Sequence, residues 1–312
     1  MDADGLVDAV REGGLLASES TVVAMLSGGR DSVCLLDVAV RLLGTGAVTA
    51  LHVNYGLRDD ADEDERHCVA LCEALEVGLE VERPRRPEGP GNLQAWARDA
   101  RYAAAARLGD DAGSLVATGH TADDQVETIL YRLASSPSRR ALLGMRRQDG
   151  RLVRPLLGFT RAETTSYCEE RGLSWRDDPT NDADSFARNR VRHGLAVALA
   201  EVHPAAAANV LRTAELLRDE AEVLDRLVDA ELGGGDDGAR NTIELSRLAE
   251  LPPALRRLVV QQLADRAAGR PVAGAANHAE EVAGLRRTGT AMLDLGGGVR
   301  AVVERGVLRA ER

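Results

Sequence analysis

Residues 21–33 read TVVAMLSGGRDSV, and the fold turns on how this stretch is understood. Its first six residues are mostly apolar or β-branched, as in a buried strand. Ser27-Gly28-Gly29-Arg30-Asp31-Ser32 follows, and then Val33, Leu36, Val40 and Leu43 fall on one helical stripe. A strand that passes through two glycines into a helix reads as a βα turn of an open α/β sheet. Such sheets bind ligands outside the carboxyl ends of their strands. Glycine lets backbone approach a ligand closely. The free N–H groups and dipole of a helix start favour an anion. Ser27, Gly28, Gly29, Arg30 and Ser32 therefore suit a phosphate. Asp31 would repel one unless a cation lies between them, and Mg2+ shared by carboxylate and phosphate oxygens removes the conflict. A tight turn with a capping Asp would use the same residues, so spacing alone leaves both readings open.

The alternation continues outward. AVTALHV (47–53), GLEVERP (78–84) and SLVATGH (114–120) read as strands, with helices over 62–77, 92–108 and 122–134. This pattern predicts an α/β fold, a doubly wound parallel sheet with helices on both faces. A short strand is expected within RLVRPLL (151–157), then helices over 160–171 and from about 185. Near residue 200 the style changes. A long Ala/Leu/Glu helix (205–232), a GGGDDG link (233–238), helices over 253–268 and 277–287, and a glycine-rich hairpin pattern complete the chain. The expected division is an α/β domain over 1–200 and a smaller, mainly helical domain with a terminal hairpin over 201–312. GGGDDG formally matches G-x-G-x-x-G, but it follows a helix and its two Asp would repel a pyrophosphate.

Composition bounds the function. The 312 residues are 44% hydrophobic, enough for a sizeable core. No apolar run approaches the ~18 residues of a membrane span, and the acidic N-terminus lacks the basic start of a secretory signal. A cytoplasmic protein with no membrane partner is expected. Cys34, Cys68, Cys72 and Cys168 form no C-x-x-C pair and read as packed free thiols. The chain contains no lysine, which excludes a Walker A loop. Net charge is −11, yet residues 139–161 hold Arg139, Arg140, Arg146, Arg147, Arg151, Arg154 and Arg161 against Asp149 alone. Such a stripe can hold a phosphate backbone, or it can be a solvated loop with ion-pair partners.

In GHTADDQVETILYRLA (119–134), Val126, Ile129, Leu130 and Leu133 form a core stripe, while Asp124, Glu127 and Tyr131 fall together on the other side. Two carboxylates projecting together are costly unless they meet a cation. A lysine ammonium or Mg2+ would serve. In 92–108, Leu93, Ala97, Ala100 and Ala104 make the apolar stripe and Gln94, Arg98 and Arg101 share another face. Guanidinium groups there could grip phosphate or a carboxylate. His52 and His120 end strands at the ligand edge.

SGGRDS resembles the S-G-G-x-D-S loop of the ATP pyrophosphatase (PP-loop) superfamily. HVNYGLR (52–58), AWARDARY (95–102), TGHTADDQVET (118–128), GM (144–145), RPLL (154–157), SWRDDPTN (174–181) and FARNRVRH (186–193) follow in the order seen in the tRNA(Ile)-lysidine synthetase family. The resemblance covers roughly residues 20–200 and, more loosely, the C-terminal domain; it implies an ATP-binding catalytic domain over 1–200 and a tRNA-binding accessory domain over 201–312. It implies ligation of L-lysine to the wobble cytidine of tRNA(Ile) with a CAU anticodon, using ATP and Mg2+. The implied catalytic set is Asp31, Arg101, Asp124, Glu127 and Arg188, with Arg98 and Arg190 as alternatives to the two arginines. Asp124 and Glu127 would bind lysine. Ser27–Ser32, His52 and His120 would line the ATP site, with Mg2+ at Asp31. Arg139, Arg140, Arg146 and Arg147 would bind tRNA, and a homodimer is allowed for. Two departures stand out. Tyr55 replaces a second His, and ASSPSRRALLGM (134–145) replaces the family's Arg-Gly-Ser-Gly loop. A second accessory domain found in some members is expected to be absent. The competing readings are a thiolase-type tRNA ligase, against which the missing cysteine pairs count, and an ATP-sensing module without turnover.

Overall fold

Short β-branched and aliphatic runs form the strands, and each face of the resulting sheet is buried under its own helices. The computed structural model describes residues 1–57, 60–87, 91–136, 139–176, 187–233, 241–286 and 288–312; the side chains of Gln94, Asp111, Ala112 and Arg188 also lie outside the description. Contacts divide the chain into two units, Met1–Glu215 and Leu216–Arg312.

In the first unit, β1 (Val22–Met25), β2 (Val48–Val53), β3 (Gly78–Glu82), β4 (Leu115–Ala117) and β6 (Leu152–Val153) run parallel in the order β3-β2-β1-β4-β6. A two-residue strand, β5 (Gln148–Asp149), pairs antiparallel at the edge. The chain winds from β1 to β2 and β3 on one side and returns to β4 on the other. The order therefore reverses between β1 and β4, where a doubly wound sheet opens its ligand crevice.

Strand periodicity sorts the core. Val22, Ala24, Val48, Ala50, Ala117 and Val153 face a cluster with Leu6 and Val10 of α1 (Ala3–Glu12), Cys34 and Leu35 of α2 (Arg30–Leu43), Cys68 and Leu71 of α3 (Ala61–Ala74), and Tyr167 and Cys168 of α7 (Arg161–Glu170). Val23, Met25, Leu51, Val53 and Val116 point the other way, onto Ala104 and Ala105 of α4 (Leu93–Ala112). Each fully buried aliphatic side chain of this kind contributes about 1.5–3 kcal/mol. Along α5 (Ala122–Ser135), Val126 and Leu130 pack with Val191, Leu199 and Leu211. The apolar stripe expected there is shorter, since Leu133 is exposed, as is Tyr131. All four cysteines are buried free thiols. Among the described residues, no single helix is long and apolar enough to cross a membrane.

The second unit has its own core. The expected terminal hairpin is a meander, β8 (Thr290–Gly296), β9 (Val299–Glu304) and β10 (Val307–Glu311), to which β7 (Thr242–Glu244) adds a fourth antiparallel strand. α12 (Pro253–Ala268) packs on it through Val259, Val260 and Leu263. The GGGDDG link lies, but for its first glycine, outside the described residues.

Candidate active site

The turn after β1 builds an anion cradle from consecutive residues. The Ser27 backbone N–H donates to Ser32 Oγ at 3.1 Å, and Ser32 Oγ donates to the Gly29 carbonyl at 2.7 Å. Gly28 has φ +84°, a conformation that strains any side chain, and a Cβ there would press on Cys68 Sγ at 3.3 Å. Its carbonyl accepts from the Arg176 N–H at 3.0 Å. Gly29 caps α2 without a side-chain hydrogen bond, which leaves the helix start open to an anion. The loop after β4 closes against this turn: a Cβ on Gly119 would stand 2.7 Å from the Asp31 carbonyl oxygen.

These turns border a cleft of about 1090 Å³ lined by residues of the first unit only. One wall is aromatic and cationic. Tyr55 and Trp96 pack edge to face at 5.9 Å, while Arg98 and Arg101 lie 5.0 and 5.5 Å from the Tyr102 ring centre. Arg101 lines the cleft and Arg98 does not; Arg101 Nε is buried without a hydrogen-bond partner among the described residues. Leu93 and Ala97, expected on the core stripe, line the cleft as well. His52 is buried, and its Nδ1 meets the Leu26 carbonyl at 3.0 Å. A carbonyl only accepts, so Nδ1 carries the proton and Nε2, buried and unpartnered, is left as an acceptor. Cys68 Sγ lies 3.3 Å from the same Nδ1, and burial pushes its thiol up to about 12. His120 Nδ1 pairs with Thr118 Oγ1 at 2.8 Å, and both line the cleft.

The carboxylates come from several elements. Asp31 Oδ1 accepts from Thr164 Oγ1 at 2.6 Å and from Arg30 Nε at 3.1 Å. Its Oδ2 lies 3.9 Å from Arg161 Nε and accepts no hydrogen bond among the described residues. Asp124 Oδ2 accepts from the Thr121 N–H at 2.9 Å and Thr121 Oγ1 at 3.1 Å, a capping box at the start of α5. Asp124 Oδ1 takes Arg161 Nη2 at 2.7 Å, and Glu127 Oε1 takes Arg161 Nη1 at 2.8 Å and Arg192 Nε at 2.7 Å. Burial works against the Glu127 charge, but Arg161 and then Arg192 outweigh it and hold the carboxyl below its ordinary range. Burial likewise works against Arg161, and Asp124 with Glu127 reverses the balance and raises its pKa.

Arg161 is the site residue that sequence reasoning missed. It was grouped with the basic stripe, yet its guanidinium turns inward onto three carboxylates. Thr160 caps α7 and forms a capping box with Glu163, which fixes Arg161 as the first helical residue. Its backbone N–H donates to Asp123 Oδ2 at 2.8 Å, stitching α7 to α5. The T-x-x-E signal was in the sequence; the partners, 34 and 37 residues away, were not legible. Arg154 also departs from the stripe, being buried with Nη1 donating to the Arg146 carbonyl at 2.7 Å. Arg140, Arg146 and Arg147 are exposed and Arg139 is half-buried. Arg188 lies on α8 (Ala187–Arg190), its side chain outside the description, and Arg190 is exposed. Arg192, on the π-helical turn Val191–Leu195, reaches the carboxylates, and it lines the cleft together with Asn189 of the same motif. In place of the Arg-Gly-Ser-Gly loop, Gln125 clamps the backbone of Met145: Nε2 donates to its carbonyl at 2.9 Å, and Oε1 accepts from its N–H at 2.6 Å.

Comparison with known proteins matches the PP-loop domain family to residues 6–199. The chain is 36% identical over 334 residues to the tRNA(Ile)-lysidine synthase of Symbiobacterium thermophilum, covering 98% of this chain and 69% of that protein. The chain belongs to the PP-loop family, in its tRNA(Ile)-lysidine synthase branch. The Pseudomonas fluorescens tRNA(Ile)-lysidine synthase is 40% identical over 213 residues, 66% of this chain and 48% of that one. This chain thus spans about half the length of several curated relatives it matches. A solved U34-tRNA thiolase from Methanococcus maripaludis, 18% identical, superposes with a TM-score of 0.59 over 69% of this chain and 78% of that one. That likeness shows the fold. PP-loop membership makes the Ser27–Ser32 cradle part of an ATP-binding domain.

Among the described residues no cluster of three or more His, Cys, Asp or Glu converges as a metal cage. Asp31 Oδ2 still fits Mg2+ that arrives with a nucleotide, because that ion takes one or two carboxylates and completes its shell with phosphate and water.

Proposed function

We propose that this chain ligates L-lysine to C2 of the wobble cytidine of tRNA(Ile) with a CAU anticodon, at the expense of ATP and in the cytoplasm. The observation that carries the reading is that the Ser27–Ser32 turn and Asp124 border one cleft, with Glu127 buried behind it and tied to Arg161 and Arg192 of the cleft wall, in a PP-loop chain of this branch. ATP lies with its phosphates on Ser27–Ser32, Arg101 supplying a cation from the aromatic wall. Mg2+ at Asp31 would offset phosphate charge. The flipped-out cytidine directs its C2 oxygen at the α-phosphorus; a C2–O–P bond forms and the α–β phosphoanhydride breaks, releasing pyrophosphate. Extrusion of the base costs a few kcal/mol, less in a loop than in a duplex. The lysine ε-amine, once deprotonated, then attacks C2. The C–N bond forms, the C2–O bond breaks and AMP leaves. Asp124 and Glu127 hold the amino acid through its ammonium charge. The roles given to His52, His120 and Arg188 are part of the same proposal. Arg139, Arg140, Arg146, Arg147 and the second unit contact the tRNA, so binding weakens steeply with salt.

The test is incubation of the chain with labelled lysine, ATP and a CAU-anticodon tRNA. Label in the tRNA and AMP formed in step with it support the reading. AMP release indifferent to lysine contradicts it.

A further inference from the structure

Three carboxylates meet three guanidinium groups at the back of the cleft: Asp31, Asp124 and Glu127 against Arg30, Arg161 and Arg192. Among these six described groups the charges balance, so a substrate ammonium that pairs with Asp124 and Glu127 competes with guanidinium groups already there.

The two arginines bound to Glu127 are anchored differently. Arg161 opens a capped helix, its backbone N–H is tied to Asp123, and its guanidinium reaches Asp124 at 2.7 Å and Glu127 at 2.8 Å. Its side chain also lies 3.9 Å from Asp31. Moving it would strip two buried carboxylates of their principal partner. Arg192 sits on a π-helical turn, a geometry frequent at functional sites. Among the described residues its close contact is Nε to Glu127 Oε1 at 2.7 Å, while its Nη2 stays 3.9 Å from Asp124 Oδ1. It therefore occupies the same two carboxylates that the proposed substrate ammonium requires.

We infer that Arg192 is an internal stand-in for the substrate ammonium: it holds Asp124 and Glu127 and is displaced by lysine. This rests on the reading that lysine binds those carboxylates. Arg161 stays in place and keeps the pair ionised and oriented; Arg192 is exchanged, cation for cation. The latch also lowers apparent lysine affinity, because only the fraction of molecules with Arg192 withdrawn is competent.

The experiment measures the KM for lysine in lysine-dependent AMP release with CAU tRNA, for the full chain and for Arg192→Met, Arg192→Lys and Asp124→Asn/Glu127→Gln. Removing the stand-in is expected to lower the lysine KM roughly tenfold in Arg192→Met, with Arg192→Lys between it and the parent. The double carboxylate variant is expected to raise it. An unchanged or raised KM in Arg192→Met, with the parent active, overturns the latch alone. An unchanged KM in the double variant overturns the placement of lysine and the latch with it. Thermal melts confirm folding; if Arg192→Met does not fold, Arg192→Gln takes its place under the same expectations.

Discussion

The phosphate cradle and the carboxylate cluster sit side by side in the cleft and are built in opposite ways. The cradle is local: Ser27, Gly29 and Ser32 bond to one another within six residues, and backbone conformation does most of the shaping. The cluster is assembled from afar, by Asp31 on α2, Asp124 and Glu127 on α5, Arg161 and Thr164 on α7, and Arg192 on the π-helical turn. The lesson is that a backbone-built site survives as a readable string, whereas a charge-built site is readable only in halves. Each half then invites a wrong partner.

The comparison can be broken first at its most tightly coupled point. Arg161→Gln is expected to cost about 3–5 kcal/mol of stability, because it leaves two buried carboxylates with a weakened counterion. The double variant with Glu127→Gln should cost less than the sum of the single changes, a coupling that urea melts of all four proteins would measure. Additive effects would mean that the cluster is not one unit. Next, Asp31→Ala should cost about 1–3 kcal/mol of stability, since Thr164 and Arg30 lose an acceptor, and lower lysine-dependent AMP release roughly 10²- to 10³-fold, the scale of losing one transition-state charge contact. A comparable loss of folding would instead make Asp31 structural.

Gly119→Ala separates the two regions more gently. Its new methyl would meet the Asp31 carbonyl at 2.7 Å, and backbone must shift, at about 1–3 kcal/mol. Activity should fall with stability, since the shift displaces the cradle; unchanged ATP turnover would show that the two loops move freely. A pH series sharpens the contrast further. Glu127 titrates below its ordinary range, so its contribution is fully present above the unfolded pKa and is lost as pH falls through the folded value. The stability gap between the parent and Glu127→Gln should therefore narrow below about pH 4.3, the ordinary glutamate value. A gap constant down to pH 3 would contradict the ion pairing. The smallest effect belongs to the exposed stripe. Arg146→Gln with Arg147→Gln should leave stability within about 0.5 kcal/mol and reduce the salt slope of tRNA binding by about 1–2; an unchanged slope would move the RNA elsewhere.

Legibility followed the same division through the whole molecule. The strands and crossover helices of the sheet were readable because each carries its own period, and the positions of β1 and α2 put the cradle at the switch point. α1 was overlooked although Asp2 caps it and Leu6, Val7 and Val10 make its buried stripe, a signal hidden by its acidic flanks. β5 and β7 are too short to show a period and exist through their neighbours. In the site, Asp124 and Glu127 were legible as a pair needing a cation. That Arg161 and Arg192 meet that need is a property of tertiary structure, since a run of arginines such as 139–161 does not reveal which of its members turn inward. Arg154 and Arg161 do; Arg140, Arg146 and Arg147 do not.

A crystal of the chain soaked with a non-hydrolysable ATP analogue and Mg2+ tests the central claim most directly. The account predicts phosphate density on the amides of Ser27–Ser32, with the ion against Asp31. Density for the nucleotide anywhere else, with that turn bare, would contradict it.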